Sequence, residues 1–285
     1  MLHFMAVRTY MVTGASSGIG RACVDELVRI GARVWATVRS DSDEKALLRD
    51  HPAGVRVLRM DLSDPESVSA AAQQVVADGP LDGLVNNAAM PMPWPLEHTP
   101  LDAFRRQLEI NLTGHLAVTQ AVLPALRLAA RQSGTARIVQ VGSIVGRIAG
   151  TIHGPYQISK FGVVGLTDSL RAELAPFGIK VVLIEPGAVA TQVWSKMAAS
   201  FAELEETLPD AAREQYADQI TAARTSAKRT EHRGLPPSRP AQVIVKALTA
   251  RYPRPRYVVG LDAHLGALAA RLPDRVRYWL TAARA

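Results

Sequence analysis

The sequence predicts an α/β fold, a doubly wound parallel sheet in a single domain spanning residues 1–285, and three observations carry that expectation. Short apolar runs rich in β-forming residues alternate with helical patterns along most of the chain. The first such run leads directly into a glycine-rich turn, TGASSGIG, and then into a helical pattern. Hydrophobic residues make up 48% of the chain, enough to bury one large core. Strands of four to eight residues alternating with helices imply right-handed βαβ crossovers, and hence a parallel sheet covered on both faces.

RTYMVTG (8–14) reads as the first strand behind a short leader, and the helical pattern from Gly18 to Ile30 stops at Gly31, suited to the left-handed residue that closes a helix. RVWATVR (33–39), DSDEKALLRD (41–50) and VRVLRMD (55–61) then read as strand, helix and strand. Asp64 is a good N-cap with Pro65 in the first helical position, starting the helix that runs toward Gly79. LDGLVNN (81–87) is the next strand, followed by one long helix over 101–130. ARIVQVGS (136–143), a helix over 155–177 and KVVLIEPG (180–187) complete the alternation. Residues 188–240 break it with an acidic helical piece, FAELEETLPDAAREQYADQ, and a loop containing GLPPSRP. An insertion at a strand end, where open α/β sheets bind ligands, is expected to be a substrate lid. Residues 262–285 form a C-terminal helical extension, expected to lie over the cleft, with Pro273 interrupting any continuous helix on a membrane surface.

The longest apolar runs are broken by Arg or Pro, as in AVLPALRLAA, and none reaches the roughly 20 residues of a membrane span. MLHFMAVRTYMVTG lacks the order of a signal peptide. The single cysteine, Cys23, can form no internal disulfide and reads as core packing in a reducing compartment. A soluble, cytoplasmic protein is therefore expected, without stable membrane insertion and without a metal site. From Arg224 onward 13 Lys and Arg face 3 Asp and Glu, but only 6 of all 33 basic residues are Lys and Arg is spread throughout. That reads as composition rather than a nucleic-acid patch.

Two features carry chemistry. In TGASSGIG, small residues let the backbone approach a pyrophosphate, and the helix starting near Gly18 offers free N–H groups and a positive dipole end. In GPYQISKFG, Tyr156 and Lys160 stand four apart, on one helical face. Taken together they bring out a wider pattern. T-G-x-x-x-G-I-G stands at Thr13–Gly20, N-N-A-x at 86–89, an asparagine at Asn111 in EINLTGH, and a serine at Ser143 thirteen residues before Tyr156. P-G-x-V-x-T closes the set at Pro186–Thr191. In these motifs and their order the chain resembles the short-chain dehydrogenase/reductase superfamily over nearly its full length. VWATVR, EINLTGHLAVTQAVLP, VGSIVGRIAG and RYVVG are most similar to the retinol and 17β-hydroxysteroid dehydrogenase branch. One departure is Ala89, where the family's motif has glycine and a methyl group would tighten the turn.

The resemblance implies a Rossmann fold, a nicotinamide cofactor and a catalytic set of Asn111, Ser143, Tyr156 and Lys160. Tyr156 would be general acid or base, its pKa lowered by the charges of Lys160 and of an oxidised nicotinamide, and Ser143 would donate a hydrogen bond to the substrate oxygen. Lys160 would also bind the ribose, and Asn111 would hold a water linking the lysine to solvent. The cofactor would be lined by Gly14, Ser16, Ser17, Gly18, Ile19, Gly20, Leu62, Asn87, Ala88, Pro186, Gly187, Val189 and Thr191. Asp61 reads either as a strand-end turn residue or, by the resemblance, as a partner of the adenine, and the second is preferred. Met90, Trp94 and Trp194 are expected in an apolar substrate mouth, with His153 either beside them or an ordinary loop residue.

The second strand ends in Arg39 and Ser40 without an acidic residue, which favours the extra phosphate of NADP over the ribose hydroxyls of NAD. The expected function is an NADP(H)-dependent oxidoreductase, with NAD(H) as second choice, acting on the carbonyl or secondary alcohol of a lipophilic steroid, retinoid or polyketide-like molecule. The alternatives are a β-ketoacyl thioester reductase, whose acidic carrier a basic tail would meet, and a redox-sensing nucleotide-binding protein without catalysis. A homodimer or homotetramer through the helices carrying Asn111 and Tyr156 is a further expectation from the resemblance.

Overall fold

The structure, a computed structural model, describes residues 7–282. The first six residues of the expected leader and the last three residues of the expected extension lie outside them. In chain order the body is built from β1 (Thr9–Val12), α1 (Gly18–Arg29), β2 (Arg33–Val38), α2 (Asp41–Asp50), β3 (Val55–Arg59), α3 (Pro65–Ala77) and β4 (Gly83–Asn86). There follow α4 (Leu101–Leu108), α5 (Gly114–Ser133), β5 (Ala136–Val141), α6 (Gly154–Leu174) and β6 (Ile179–Pro186). Then come α7 (Val193–Thr207), α8 (Asp210–Gln215), α9 (Ala217–Arg233), α10 (Ser238–Thr249), β7 (Arg256–Val259), α11 (Leu261–Ala269) and α12 (Asp274–Ala282).

All seven strands pair parallel in the order β3-β2-β1-β4-β5-β6-β7. Successive strand residues point to opposite faces, so each apolar strand feeds two cores. Met11 of β1 joins α3, α5 and α6 on one face, through residues such as Ala71, Val122 and Leu170. Tyr10 and Val12 join α1 and α10 on the other, through Cys23, Leu27, Ile244 and Leu248. Cys23 is fully buried there, as expected of a packing residue. Chain order reverses between β1 and β4, and that switch point opens the cleft at the carboxyl ends of the strands.

Local chemistry accounts for most boundaries. Asp64 caps α3 by accepting from the Glu66 N–H, and Gly31 closes α1 at φ +78°. Three expectations need revision. The long helix over 101–130 is interrupted at Glu109–Thr113 by one π-helical turn between α4 and α5. The excursion expected over 188–240 ends earlier, because Ser238 already begins α10 of the body. The extension leaves its leucines facing solvent: Leu261, Leu265 and Leu268 are 78%, 60% and 63% exposed.

Helices α7–α9 form a layer with a core of its own. Met197, Phe201, Leu204 and Ile220 pack on Met92 and Trp94 from the segment after β4 and on Ile152 before α6. Entry and exit of this layer are pinned together, since Ala190 N–H donates to Leu235 O at 2.8 Å and Leu235 N–H to Ala188 O at 2.9 Å.

Candidate active site

The turns after β1 and β4 make one side of the cleft, and they are stitched to each other. The buried Thr13 hydroxyl accepts from the N–H groups of Asn87 (2.9 Å) and Ala88 (3.0 Å), and Asn87 Nδ2 donates to the carbonyls of Thr13 (2.9 Å) and Gly14 (3.2 Å). Gly14 has φ +66°, and a methyl group there would come within 2.8 Å of Ala88 Cα. Gly20 lies so close to the Gly14 carbonyl that a side chain would sit 2.2 Å from it. Gly20 therefore holds α1 against the turn and does not itself line the cleft. Ser17 stands at the N-cap of α1 without a side-chain cap, so the first-turn N–H groups keep their capacity for an anion. The cradle fits a dinucleotide pyrophosphate.

A cavity of about 270 Å³ runs from this turn to the loops after β5 and β6. Of the expected residues, Gly14, Ser16, Ser17, Gly18, Ile19, Arg39, Asp61, Leu62, Asn87, Ala88, Met90, Ser143, Tyr156, Lys160, Pro186, Gly187, Val189, Thr191 and Trp194 line it. Among the described residues no hydrogen bond or ion pair holds the exposed Arg39 guanidinium. Asp61 accepts from the Ser63 N–H (2.9 Å) and hydroxyl (2.7 Å); these bonds hold its carboxyl below the usual range, with Arg39 adding to the effect. Asp61 thus shapes the turn, as the first reading has it, and also lines the cleft. Ala89 also lines the cavity and keeps a negative φ, since Ile152 is the only non-glycine residue with positive φ among the described residues. The methyl group at 89 is therefore tolerated without strain.

Besides Gly20, four expected residues are placed elsewhere. Ser40 caps α2, accepting from Asp43 N–H and donating to Asp43 Oδ2 at 2.7 Å. Trp94 is buried in the core beneath α7–α9. His153 precedes α6 and sets its ring edge-on to Phe201 of α7, and burial pushes its pKa down to about 4. Asn111 is fully buried in the π-helical turn, off the cleft wall. Its amide accepts from Met90 N–H (2.9 Å) and donates to Met90 O (3.0 Å) and Ser159 Oγ (3.1 Å), which joins the segment after β4 to α6. No side-chain donor of Asn111 is left over for the water that the resemblance implied.

Ser143, Tyr156 and Lys160 meet at the floor of the cleft. Lys160 Nζ is buried, donates to Val141 O at 2.9 Å and lies 5.6 Å from the centre of the Tyr156 ring. In the chain by itself, with only one of the two expected positive charges present, the tyrosine pKa is not lowered. Burial pushes the phenol up to about 12 against the hydrogen bond with Ser143, and burial pushes Lys160 down to about 8.

Two features escaped the sequence reading. His115, four residues after Asn111, is buried behind the cleft with Nε2 donating to the Ala88 carbonyl at 2.8 Å. Burial and the Lys160 charge push its pKa down to about 4, so it is neutral. Arg147, four residues after Ser143, makes a two-point ion pair with the fully buried Glu185, Nε to Oε1 at 2.6 Å and Nη2 to Oε2. Glu185 directly precedes Pro186 and Gly187, so the pair ties the Ser143 loop to the other wall of the cleft.

A family model described as short chain dehydrogenase matches residues 8–200. The chain belongs to the short-chain dehydrogenase family. This short-chain dehydrogenase is 35% identical over 283 residues to human retinol dehydrogenase 16, covering 95% of this chain and 87% of the relative. It is 31% identical over 274 residues to the NADPH-dependent 3-dehydrocapnine reductase of Ornithobacterium rhinotracheale, covering 95% and 94%. A solved short-chain dehydrogenase from Streptomyces avermitilis superposes with TM-score 0.79 at 27% identity, covering 98% of this chain and 96% of the other. The protein is thus an NAD(P)-dependent oxidoreductase of the retinol-dehydrogenase-like branch. Among the described residues no helix is long and apolar enough to cross a membrane, and no cluster suited to a metal ion is present.

Proposed function

We propose that the protein is an NADP(H)-dependent oxidoreductase that interconverts the carbonyl and secondary alcohol of a lipophilic molecule at the floor of this cleft. The observation that carries the reading is the meeting of Ser143, Tyr156 and Lys160 at one end of a cavity whose other end carries the unpartnered Arg39. The nicotinamide, when bound, supplies or accepts the hydride. The chain's own groups do the rest. Tyr156, protonated at neutral pH, donates its phenolic proton to the carbonyl oxygen in reduction and recovers it in the opposite direction. Ser143 hydrogen-bonds the same oxygen as negative charge develops on it. Lys160 holds the ribose hydroxyls and sets a positive charge beneath the phenol. Asn111 acts on this group from behind, by fixing Met90 and α6.

Arg39 clamps the 2′-phosphate, and Asp61 faces the adenine. A charged hydrogen bond contributes about 1.5–3 kcal/mol, which makes NADPH preferred by roughly 10- to 100-fold. The NADPH dependence of the Ornithobacterium relative supports the same choice. Met90, Val189, Val193 and Trp194 give the mouth its apolar wall, and α7–α9 serve as the substrate lid, hinged where Val189 meets Leu235. The retinol dehydrogenase likeness supports a large apolar substrate. Turnover of steroid, retinoid and polyketide ketones with NADPH and with NADH tests the reading, acetoacetyl thioesters serving as the competing arm. Equal affinity for both cofactors sinks the Arg39 assignment, and preference for the thioester sinks the lipophilic one. Arg39→Asp is expected to invert the cofactor preference.

A further inference from the structure

The strongest unexplained feature outside the cleft is the face of α11 and α12. In α11 the small residues point inward: Ala263 is fully buried, and Gly266 packs so closely on the loop after β5 that a methyl group would lie 2.7 Å from Ile144. The large residues point outward. Leu261, Leu265, Leu268 and Leu272, spaced four, three and four apart, fall on one side of the helix and its following turn. Val276 and Trp279 continue the exposure onto α12, the tryptophan at 68%. An isolated exposed leucine requires no explanation, whereas six large apolar residues in one row do.

Charge decides what covers the row. Arg271 and Arg275 are exposed, and neither has an ion-pair partner among the described residues. The two nearby acids are engaged, Asp262 by the Ala188 N–H at 2.6 Å and Asp274 by Arg277 at 2.7 Å. We infer that α11 and α12 form a peripheral docking surface for an anionic bilayer, the leucines and Trp279 entering the headgroup boundary and Arg271 and Arg275 meeting lipid phosphates. A second copy of the chain meets this face less well. A two-fold interface would cover the same unpaired arginines in both copies, and the two nearby acids of this face are already engaged and offer them no partner. Because α11 rests on the loop that carries Ser143, and Asp262 binds the Ala188 N–H beside Gly187, docking sets one wall of the active cleft next to the bilayer. The docking itself does not depend on the substrate proposed above.

Flotation of the full chain with vesicles at physiological salt tests this without reading activity. The wild type is expected to float with phosphatidylcholine containing about a third phosphatidylglycerol, and several-fold less with phosphatidylcholine alone. Leu265→Gln with Leu268→Gln is expected to weaken binding by at least about tenfold on both, since about 1.4 kcal/mol of apolar transfer suffices for that. Arg271→Gln with Arg275→Gln is expected to abolish only the preference for the anionic vesicle. These side chains are exposed, so size-exclusion elution and melting temperature stay at wild-type values. Failure of the wild type to float with either vesicle overturns the proposal. So does a wild-type dimer that the leucine variant turns into a monomer, because a second copy then covers the face.

Discussion

Removing either member of the Arg147–Glu185 pair is expected to destabilise the protein, but by different amounts, and the asymmetry can be worked from burial. The Glu185 side chain is 0% exposed and the Arg147 side chain 20%. Arg147→Met leaves a carboxylate with no route to water, the case for which loss of a buried partner costs about 3–5 kcal/mol. Glu185→Met leaves a guanidinium whose tip can turn outward, so the loss falls toward the about 1–3 kcal/mol of an unsatisfied polar group. The double variant, with two apolar chains of similar length, should recover much of either loss. Each kcal/mol shifts the melting temperature by about 2–4 °C in a domain of this size class, so Arg147→Met should melt roughly 6–20 °C early. Equal deficits for the two single variants would refute the reasoning.

Tyr156→Phe is expected to retain fold and cofactor affinity while turnover drops by at least about 10²–10⁴-fold, and a tenth of wild-type turnover would rule out the phenol as proton donor. Lys160→Ala should weaken cofactor binding as well as turnover, and unchanged affinity would argue against the ribose contact. In the absence of cofactor, wild-type stability should rise from about pH 8 toward pH 10. Lys160 is then neutral when folded and still protonated when unfolded, so the unfolded state binds more protons. The full effect is about 3 kcal/mol, and chemical denaturation across that window should show the slope vanish in Lys160→Met. His115→Ala should impair cofactor affinity more than Thr119→Val, since only His115 donates to the Ala88 carbonyl; titration of cofactor fluorescence compares them.

The sheet was legible because parallel strands are buried on both faces and leave near-continuous apolar runs, and because Gly31 and the Asp64–Pro65 pair mark helix ends by local chemistry. β7 was not, since RYVV is only four residues long and stands between Pro253, Pro255 and Gly260, which read as loop. Nor was the π-helical turn. One inserted residue shifts the helical phase only locally, and the apolar pattern over 30 residues reads through it. At the site, residues whose place depends on backbone shape were readable, as with Gly14 and Gly18, both at positive φ on the cleft wall. Those whose role depends on which distant element lands on them were not. Trp94 and His153 stand beside a strand end as pocket residues do, and only the arrival of Phe201 on α7 makes them part of another core. Ser40 is different, because Ser followed by Asp three residues later is close to a capping-box signature and was there to be read.

The Tyr156–Lys160 pair shows why spacing fixes position more firmly than protonation. Four residues on a helix bring the two groups into one environment, as the sequence required. The charges of Lys160 and of an oxidised nicotinamide were readable from the sequence, whereas the burial that the two side chains share was not. Burial opposes whichever form is charged, so it acts on the two groups in opposite directions, up for the phenol and down for the ammonium. The outcome is a neutral phenol above an ammonium that is still protonated at pH 7. That is the arrangement a proton donor needs, because the proton to be transferred is already in place and the charge that would stabilise the resulting phenolate lies 5.6 Å from the ring centre. On the proposed function, the phenol is already in the protonation state that reduction requires. Alcohol oxidation must first remove the phenolic proton, and near neutral pH that requires positive charge beyond what Lys160 alone provides.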